Sequence, residues 1–460
     1  MKSIIGSKTG SEEQLSLFEI EEKKVTQLAN TSAFSDPAFA GNKTQPIHRW
    51  VPWIAGFSSD FVRNALKEYL HDKGTVLDPF AGVGTTLVEA ILAGHDAVGF
   101  EINPYAALAS RTKLHAYLVD THMLQIEILK LQKFYDDKIF SKYAPKNSSP
   151  AGFKTRSDFY SDQVLYKVLL FHDFIDTIED INIKNIFKVV FAATMVRYSN
   201  YSYEPSLGRR VSSGKEEIQD FPVIQTLTSK LGEVLEDIIW FQSCLLDKQV
   251  HAQVINDSYF QYAQYLAPQS IDLVITSPPY LNNYHYNRNT RPQLYWLEYA
   301  KNPQDFKMLE NANFGKYWQT VREQKYLGLS FSLPGTDIEE RLDTLRALNP
   351  EKKIYGGNGW ANYAASYFND CYKLATGIHH VLKRGGTALV VLGNSILQGV
   401  LIPTDQYFGK IAESVGLELV KIDIPRNTRV GNSIIQSNVR SIKAENSHQL
   451  YEAVVELRKK

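Results

Sequence analysis

The stretch TVLDPFAGVGTTLVEAILAGHDAVGFE, residues 75–101, constrains this chain more than any other. An apolar run at Val76 and Leu77 ends in a glycine turn. A helix-length apolar segment, Leu87 through Leu92, follows, and after Gly94 a second apolar run from Ala97 to Phe100 closes on Glu101. The pattern predicts strand, glycine loop, helix, strand. Two short strands joined through a helix pair in parallel with a right-handed crossover, so the fold class is α/β.

The same stretch predicts a cofactor site. Gly82 and Gly84 let the backbone approach a ligand, and the helix that follows offers free N–H groups to a negative group. Glu101 stands 23 positions after Asp78, close to the separation of about 20 at which an acid ending the second strand meets ribose hydroxyls. A dinucleotide site wants a third glycine where Leu87 stands, and Asp78-Pro79-Phe80 precedes the loop. Both features argue against NAD and FAD. S-adenosylmethionine has no pyrophosphate, needs no third glycine, and carries an ammonium that Asp78 can attract.

A second motif supplies chemistry. Ser277, Pro278, Pro279 and Tyr280 follow the apolar strand pattern IDLVIT directly, at the strand end where open α/β sheets bind ligands. Consecutive prolines hold the turn rigid. The Pro278 carbonyl and Ser277 hydroxyl can then accept hydrogens from an exocyclic NH2 and aim its lone pair at a methyl donor. Tyr280 can stack on the base, which must be extruded from a duplex to be reached.

DPFAGVGTT together with TSPPY resembles the amino-methyltransferases that modify DNA at cytosine N4 or adenine N6, over about residues 46–115 and 250–460. The resemblance implies a Rossmann-like class I methyltransferase fold: a mostly parallel seven-stranded sheet, here with a helical insertion. It implies S-adenosyl-L-methionine as cofactor, with Asp78, Pro79, Phe80, Gly82, Gly84 and Thr85 around the methionine part and Glu101 on the ribose. Asn256 and Asp257 flank the adenine, and the loop Gly56-Phe57-Ser58 closes over the methionine. Ser277 to Tyr280 match the catalytic tetrapeptide, where a serine in first place is more typical of cytosine N4 enzymes. The implied partners are double-stranded DNA with base flipping and a cognate restriction endonuclease on a separate chain. Adenine N6 and an amine in RNA stay open as alternative acceptors, as does a recognition subunit that has lost catalysis.

Organisation follows from texture. Residues 1–45 read as a polar lead-in with an apolar knot at Leu15, Leu17 and Phe18, and residues 46–111 as the first, cofactor-binding part of the methyltransferase domain. There Ser59 or Asp60 is expected to cap a helix that buries Phe61, Val62, Ala65, Leu66 and Tyr69. From 112 to 249 the strand signal vanishes and a helical insertion, a candidate target-recognition region, is expected. Residues 250–460 form the second, catalytic part, with an unreadable variable segment at about 300–360. A helix over Tyr363–Leu382 closed by Arg384, Gly385 and Gly386 then leads to a strand, and LELVKIDI and EAVVELR suggest a closing antiparallel pair. Two clusters interleave aromatic and basic residues: Arg197, Tyr198, Tyr201, Tyr203, Arg209 and Arg210, and Tyr284, His285, Tyr286, Arg288 and Arg291. Either can touch phosphates or bases.

Composition sets the remaining bounds. Fifty Lys and Arg against fifty Asp and Glu leave no net charge, so a basic surface for nucleic acid must be local. Cys244 and Cys371 are too few for a disulfide framework. Neither follows a proline, which argues against methylation at cytosine C5. His379 and His380 are neighbours on a helix and point apart, so no joint metal site is expected. No apolar run reaches membrane-spanning length, and a polar start leads to the expectation of a cytoplasmic protein.

Overall fold

A computed structural model describes residues 39–460 except 54, 55, 57, 204–206, 247, 282–285 and 427–449. Its first half runs α1 (Ser59–Tyr69), β1 (Thr75–Asp78), α2 (Thr85–Ala93), β2 (Asp96–Phe100), α3 (Pro104–Leu114), α4 (Thr121–Phe140), α5 (Asp162–Thr177) and α6 (Ile181–Thr194). A small ribbon, β3 (Tyr201–Tyr203) and β4 (Leu207–Arg209), precedes α7 (Val223–Leu245) and β5 (Ala252–Ile255). After β6 (Ile271–Thr276) come α8 (Tyr286–Asn289), α9 (Arg291–Trp296), α10 (Pro303–Ala312), α11 (Trp318–Val321), α12 (Ile338–Ala347) and α13 (Gly357–Val381). The chain ends with β7 (Leu382–Gly393), β8 (Ser395–Leu397), β9 (Val400–Ile402), α14 (Thr404–Ser414), β10 (Leu417–Arg426) and β11 (Glu452–Lys459).

Seven strands form the main sheet in the order β10-β11-β7-β6-β1-β2-β5. The pairs β1–β2, β1–β6, β2–β5 and β6–β7 are parallel, and β11 runs antiparallel to both β7 and β10. This is the Rossmann-like class I methyltransferase arrangement, mostly parallel with one reversed strand. Alternate strand residues feed two cores. Val76, Leu273, Ile275, Leu389 and Val454 pack on one face, and Leu77, Val274, Val390 and Val455 on the other, as the two-residue period of a strand requires. Helices α1 to α7 cover the first face, α13 and α14 the second.

Side-chain caps start six of the labelled helices, with shifts of a few residues from expectation. α1 is capped by Ser58, which accepts from the Asp60 amide, rather than by Ser59 or Asp60. Ser59 is drawn inward, its hydroxyl and amide both bonded to buried Asn42. α3 starts on Asn103, which accepts from the Tyr105 and Ala106 amides, with Pro104 in the first turn. α13 begins at Gly357, ahead of Tyr363, and Arg384, Gly385 and Gly386 lie inside β7, where the β6–β7 register shifts between Ile271 and Leu273. The ribbon β3–β4 interrupts the stretch expected to be wholly helical. Among the described residues no helix is long and apolar enough to cross a membrane.

Candidate active site

β1 ends at Asp78, whose side chain is fully buried. One oxygen accepts from the Phe80 amide at 3.0 Å and the Thr276 hydroxyl at 2.7 Å, the other from the Thr86 hydroxyl at 2.7 Å. Burial outweighs these three bonds and raises the carboxyl to about 6. Asp78 therefore clasps the end of β1, the end of β6 and the start of α2 from behind the loop. It does not line the cleft in front, where an ammonium would sit. Gly84, at φ 87, caps α2, and a Cβ there would stand 2.4 Å from Ser110 Oγ. Glycine takes this left-handed turn without strain, and a side chain there would press on Ser110. Thr85 is buried behind the loop, its Oγ1 3.5 Å from the Asn42 amide nitrogen. Underneath, buried Lys113 donates to the Val83 carbonyl at 3.1 Å, and desolvation lowers its ammonium to about 7.

Glu101 directly follows β2 and faces the loop. Its Oε2 accepts from the Gly82 amide at 2.9 Å and its Oε1 from the Asn103 amide at 2.7 Å. Burial dominates over these bonds and raises the carboxyl to about 7, with nearby Asp78 adding to the rise. A carboxylate has about four acceptor positions, so acceptor capacity remains for ribose hydroxyls. Asn256 is exposed and ties its amide to the Glu101 and Ile102 carbonyls at 2.7 and 3.2 Å. Asp257 lines the cleft, its oxygens accepting from the Ser258 amide and the Tyr265 hydroxyl.

Because β6 lies beside β1 in parallel, the turn after Thr276 emerges next to the turn after Asp78. The cleft between them, partly open to solvent, is lined by Pro79, Phe80, Gly82, Glu101, Asp257, Ser277 and Pro279 among others. Ser277 Oγ and Tyr280 Oη are 3.4 Å apart, and Tyr280 Oη is 3.4 Å from a Glu452 carboxylate oxygen. Pro278 is buried beneath. Phe57 and Tyr284 lie outside the described residues. The fold also brings in side chains that motif reading missed: Trp53, Asn103, Phe260, Asn287 and Phe314. Trp53 had a trace in the aromatic run HRWVPW, whereas Phe314 sits in the stretch without periodicity.

The two aromatic and basic clusters, separate in sequence, touch. Tyr203 donates to the Asn289 carbonyl at 2.8 Å, and the Gln293 amide lies 3.3 Å from Tyr203 Oη. Their members divide. Tyr198 and Tyr201 are buried and stack on Tyr160 and Phe159, so they are core rather than surface. Arg291 bonds the Lys154 carbonyl and lies over Phe153 and Tyr295. Arg210 bonds the Glu216 carbonyl. Arg288 is exposed, at Gln319 and over Tyr317, and Arg209 is exposed on β4.

Residues 20–111 match the N6/N4 methyltransferase family model, described as DNA methylase. The chain is similar to type II methyltransferase M.BsoBI of Geobacillus stearothermophilus, 25% identical with 91% of this chain and 88% of that protein covered. It is also similar to type II methyltransferase M.AvaI of Nostoc sp., 24% identical with 86% and 84% covered. Among solved structures, the rRNA methyltransferase aviRa of Streptomyces viridochromogenes aligns over 91% of this chain and 93% of its own at 8% identity. Its TM-score of 0.30 is too low to add to the topology described above. The family match and the two relatives support an amino-methyltransferase of the restriction–modification type. Its cofactor is S-adenosylmethionine, and the residues present fit that group: a diol-ready carboxylate, Gly82 with no side chain at the cleft, and the apolar faces of Phe80 and Phe260.

Proposed function

We propose that this protein methylates the exocyclic N4 amine of cytosine in double-stranded DNA, as the modification partner of a restriction endonuclease carried on another chain. The observation that supports this most is the meeting of Glu101 and Gly82 with Ser277 and Pro279 in one cleft. Bound S-adenosylmethionine supplies an electrophilic methyl on a sulfonium that leaves as a neutral thioether. Glu101 holds the ribose diol, and Asp78 keeps the glycine loop in place from behind. Ser277 Oγ and the Pro278 carbonyl accept the two amine hydrogens, which localises the nitrogen lone pair toward the methyl carbon. The proton released on transfer leaves to solvent. Tyr280 stacks on the extruded base.

Serine in the first position of the tetrapeptide favours cytosine N4 over adenine N6. The insertion 112–249, with Arg209 and Arg210, and the segment after the catalytic turn, with Arg288 and Arg291, are the surfaces we assign to DNA. Their contact through Tyr203 supports one continuous surface. Such an enzyme works in the cytoplasm, where the host DNA is. Product analysis tests the reading: incubate with methyl-labelled S-adenosylmethionine and unmethylated bacterial DNA, digest to nucleosides and weigh them. N4-methylcytosine is expected. N6-methyladenine would move the target, and label in RNA alone would move the substrate class.

A further inference from the structure

The segment between β6 and β7, silent in sequence, sends one side chain into the cofactor cleft. Phe314 is 5% exposed and lines the cleft directly after α10. Its ring centre lies 5.1 Å from that of Phe80, nearly edge-on at 70°, and 6.2 Å from Phe260, with Tyr367 of α13 at 5.4 Å. Phe80 belongs to the glycine loop and Phe260 follows Asp257, so three distant parts of the chain build one aromatic wall. Its position is held from both sides. Asn313 Oδ1 accepts from Asn287 Nδ2 at 3.3 Å, and the Gly315 amide donates to Asp370 Oδ2 at 3.1 Å. Asn287 is itself 3.4 Å from the Asn103 amide nitrogen, which ties the turn back to the loop after Glu101.

We infer that Phe314 is a cofactor-binding residue whose ring walls the adenine of S-adenosylmethionine, and that the 313–315 turn is a fixed part of the cofactor site. This rests on the reading of the cleft as the S-adenosylmethionine site. Of the polar acceptors, Glu101 serves the ribose, and Asp257, in the segment that flanks the adenine, is left for the edge of the base. The flat faces of the heterocycle are left to the rings, which favour edge and offset contacts with such a partner.

The test is calorimetric titration of S-adenosylmethionine into the full-length wild type and the variants Phe314→Leu, Phe314→Trp and Phe331→Leu. Phe331 stacks on Tyr372 and does not line the cleft, so its variant reports general loss of an aromatic pair. Phe314→Leu keeps the apolar volume and should weaken binding about tenfold, with the unliganded melting temperature near that of Phe331→Leu. Phe314→Trp should recover most of the affinity, and Phe331→Leu should bind as wild type. Affinity in Phe314→Leu within about twofold of wild type would overturn the inference while leaving the cofactor reading intact. Equal losses in Phe331→Leu would overturn it too, by assigning the effect to the fold. A wild type that binds no S-adenosylmethionine would overturn the cofactor reading first and this inference with it.

Discussion

In the proposed site, Glu101 couples cofactor capture to pH. Ribose hydroxyls donate to the carboxylate form, and burial has raised this carboxyl from the usual 4.5 to about 7. Affinity for S-adenosylmethionine should therefore rise with pH through the neutral range and fall as the group protonates below it. Titrations at pH 6 and pH 8 should show the difference in wild type, and Glu101→Gln should bind weakly with no such slope. A flat wild-type profile would count against the assigned role. Asp78 adds a stability effect of known sign. Its folded value of about 6 lies above the ordinary 3.8, so between those values the folded state holds more protons than the unfolded state. Its contribution to stability therefore declines as pH rises through that window. Asp78→Asn should remove this part of the slope and still fold. Asp78→Ala strips the acceptor from the Phe80 amide and the Thr86 and Thr276 hydroxyls, at a cost of about 2–4 kcal/mol in urea unfolding, and should loosen cofactor binding through the loop.

At the scale of elements, the glycine loop works because α2 and α3 approach closely at Gly84 and Ser110. Gly84→Ala should destabilise the fold by about 1–3 kcal/mol through the left-handed backbone and the close contact. Ser110→Ala in the same chain should recover part of that loss, because it removes the Ser110 Oγ that a Cβ at residue 84 would meet at 2.4 Å. Additive effects in that double-mutant cycle would contradict the packing described. The elements that the sequence displays are those whose partners are local. The apolar run at Val76 and Leu77, the helix after Gly84 and the strand into Glu101 all emerge close to where periodicity places them. The ribbon β3–β4 escaped because three-residue strands such as Tyr201–Tyr203 have no room for alternation. Its tyrosines look like a surface cluster until tertiary packing buries Tyr201. Phe314 escaped for a related reason: its neighbours are Phe80, Phe260 and Tyr367, none nearer than 53 residues along the chain.

Among the described residues a seven-stranded sheet carries a core on each face, and the cleft opens where the ends of β1, β2, β5 and β6 converge. A ligand that bridges those strand ends stabilises the folded state by mass action. S-adenosylmethionine at a hundred times its dissociation constant should add about 2.7 kcal/mol and raise the melting temperature accordingly. Zero net charge means that DNA is attracted locally rather than by the molecule as a whole. The parallel pairing of β1 with β2 follows from the βαβ unit and the antiparallel pair from the last two strand patterns, whereas the places of β5, β6 and β7 in the sheet are set by tertiary packing. The functional cleft draws on both halves of the chain and on the segment between β6 and β7, and that assembly is tertiary. The most direct test of the central claim, that one cleft binds the cofactor while the Ser277–Tyr280 turn presents the amine, is to measure S-adenosylmethionine affinity and methyl transfer to DNA side by side for Tyr280→Ala. Affinity within about twofold of wild type with transfer reduced by about a thousandfold is the expected result. Transfer at the wild-type rate would show that the turn does not hold the target.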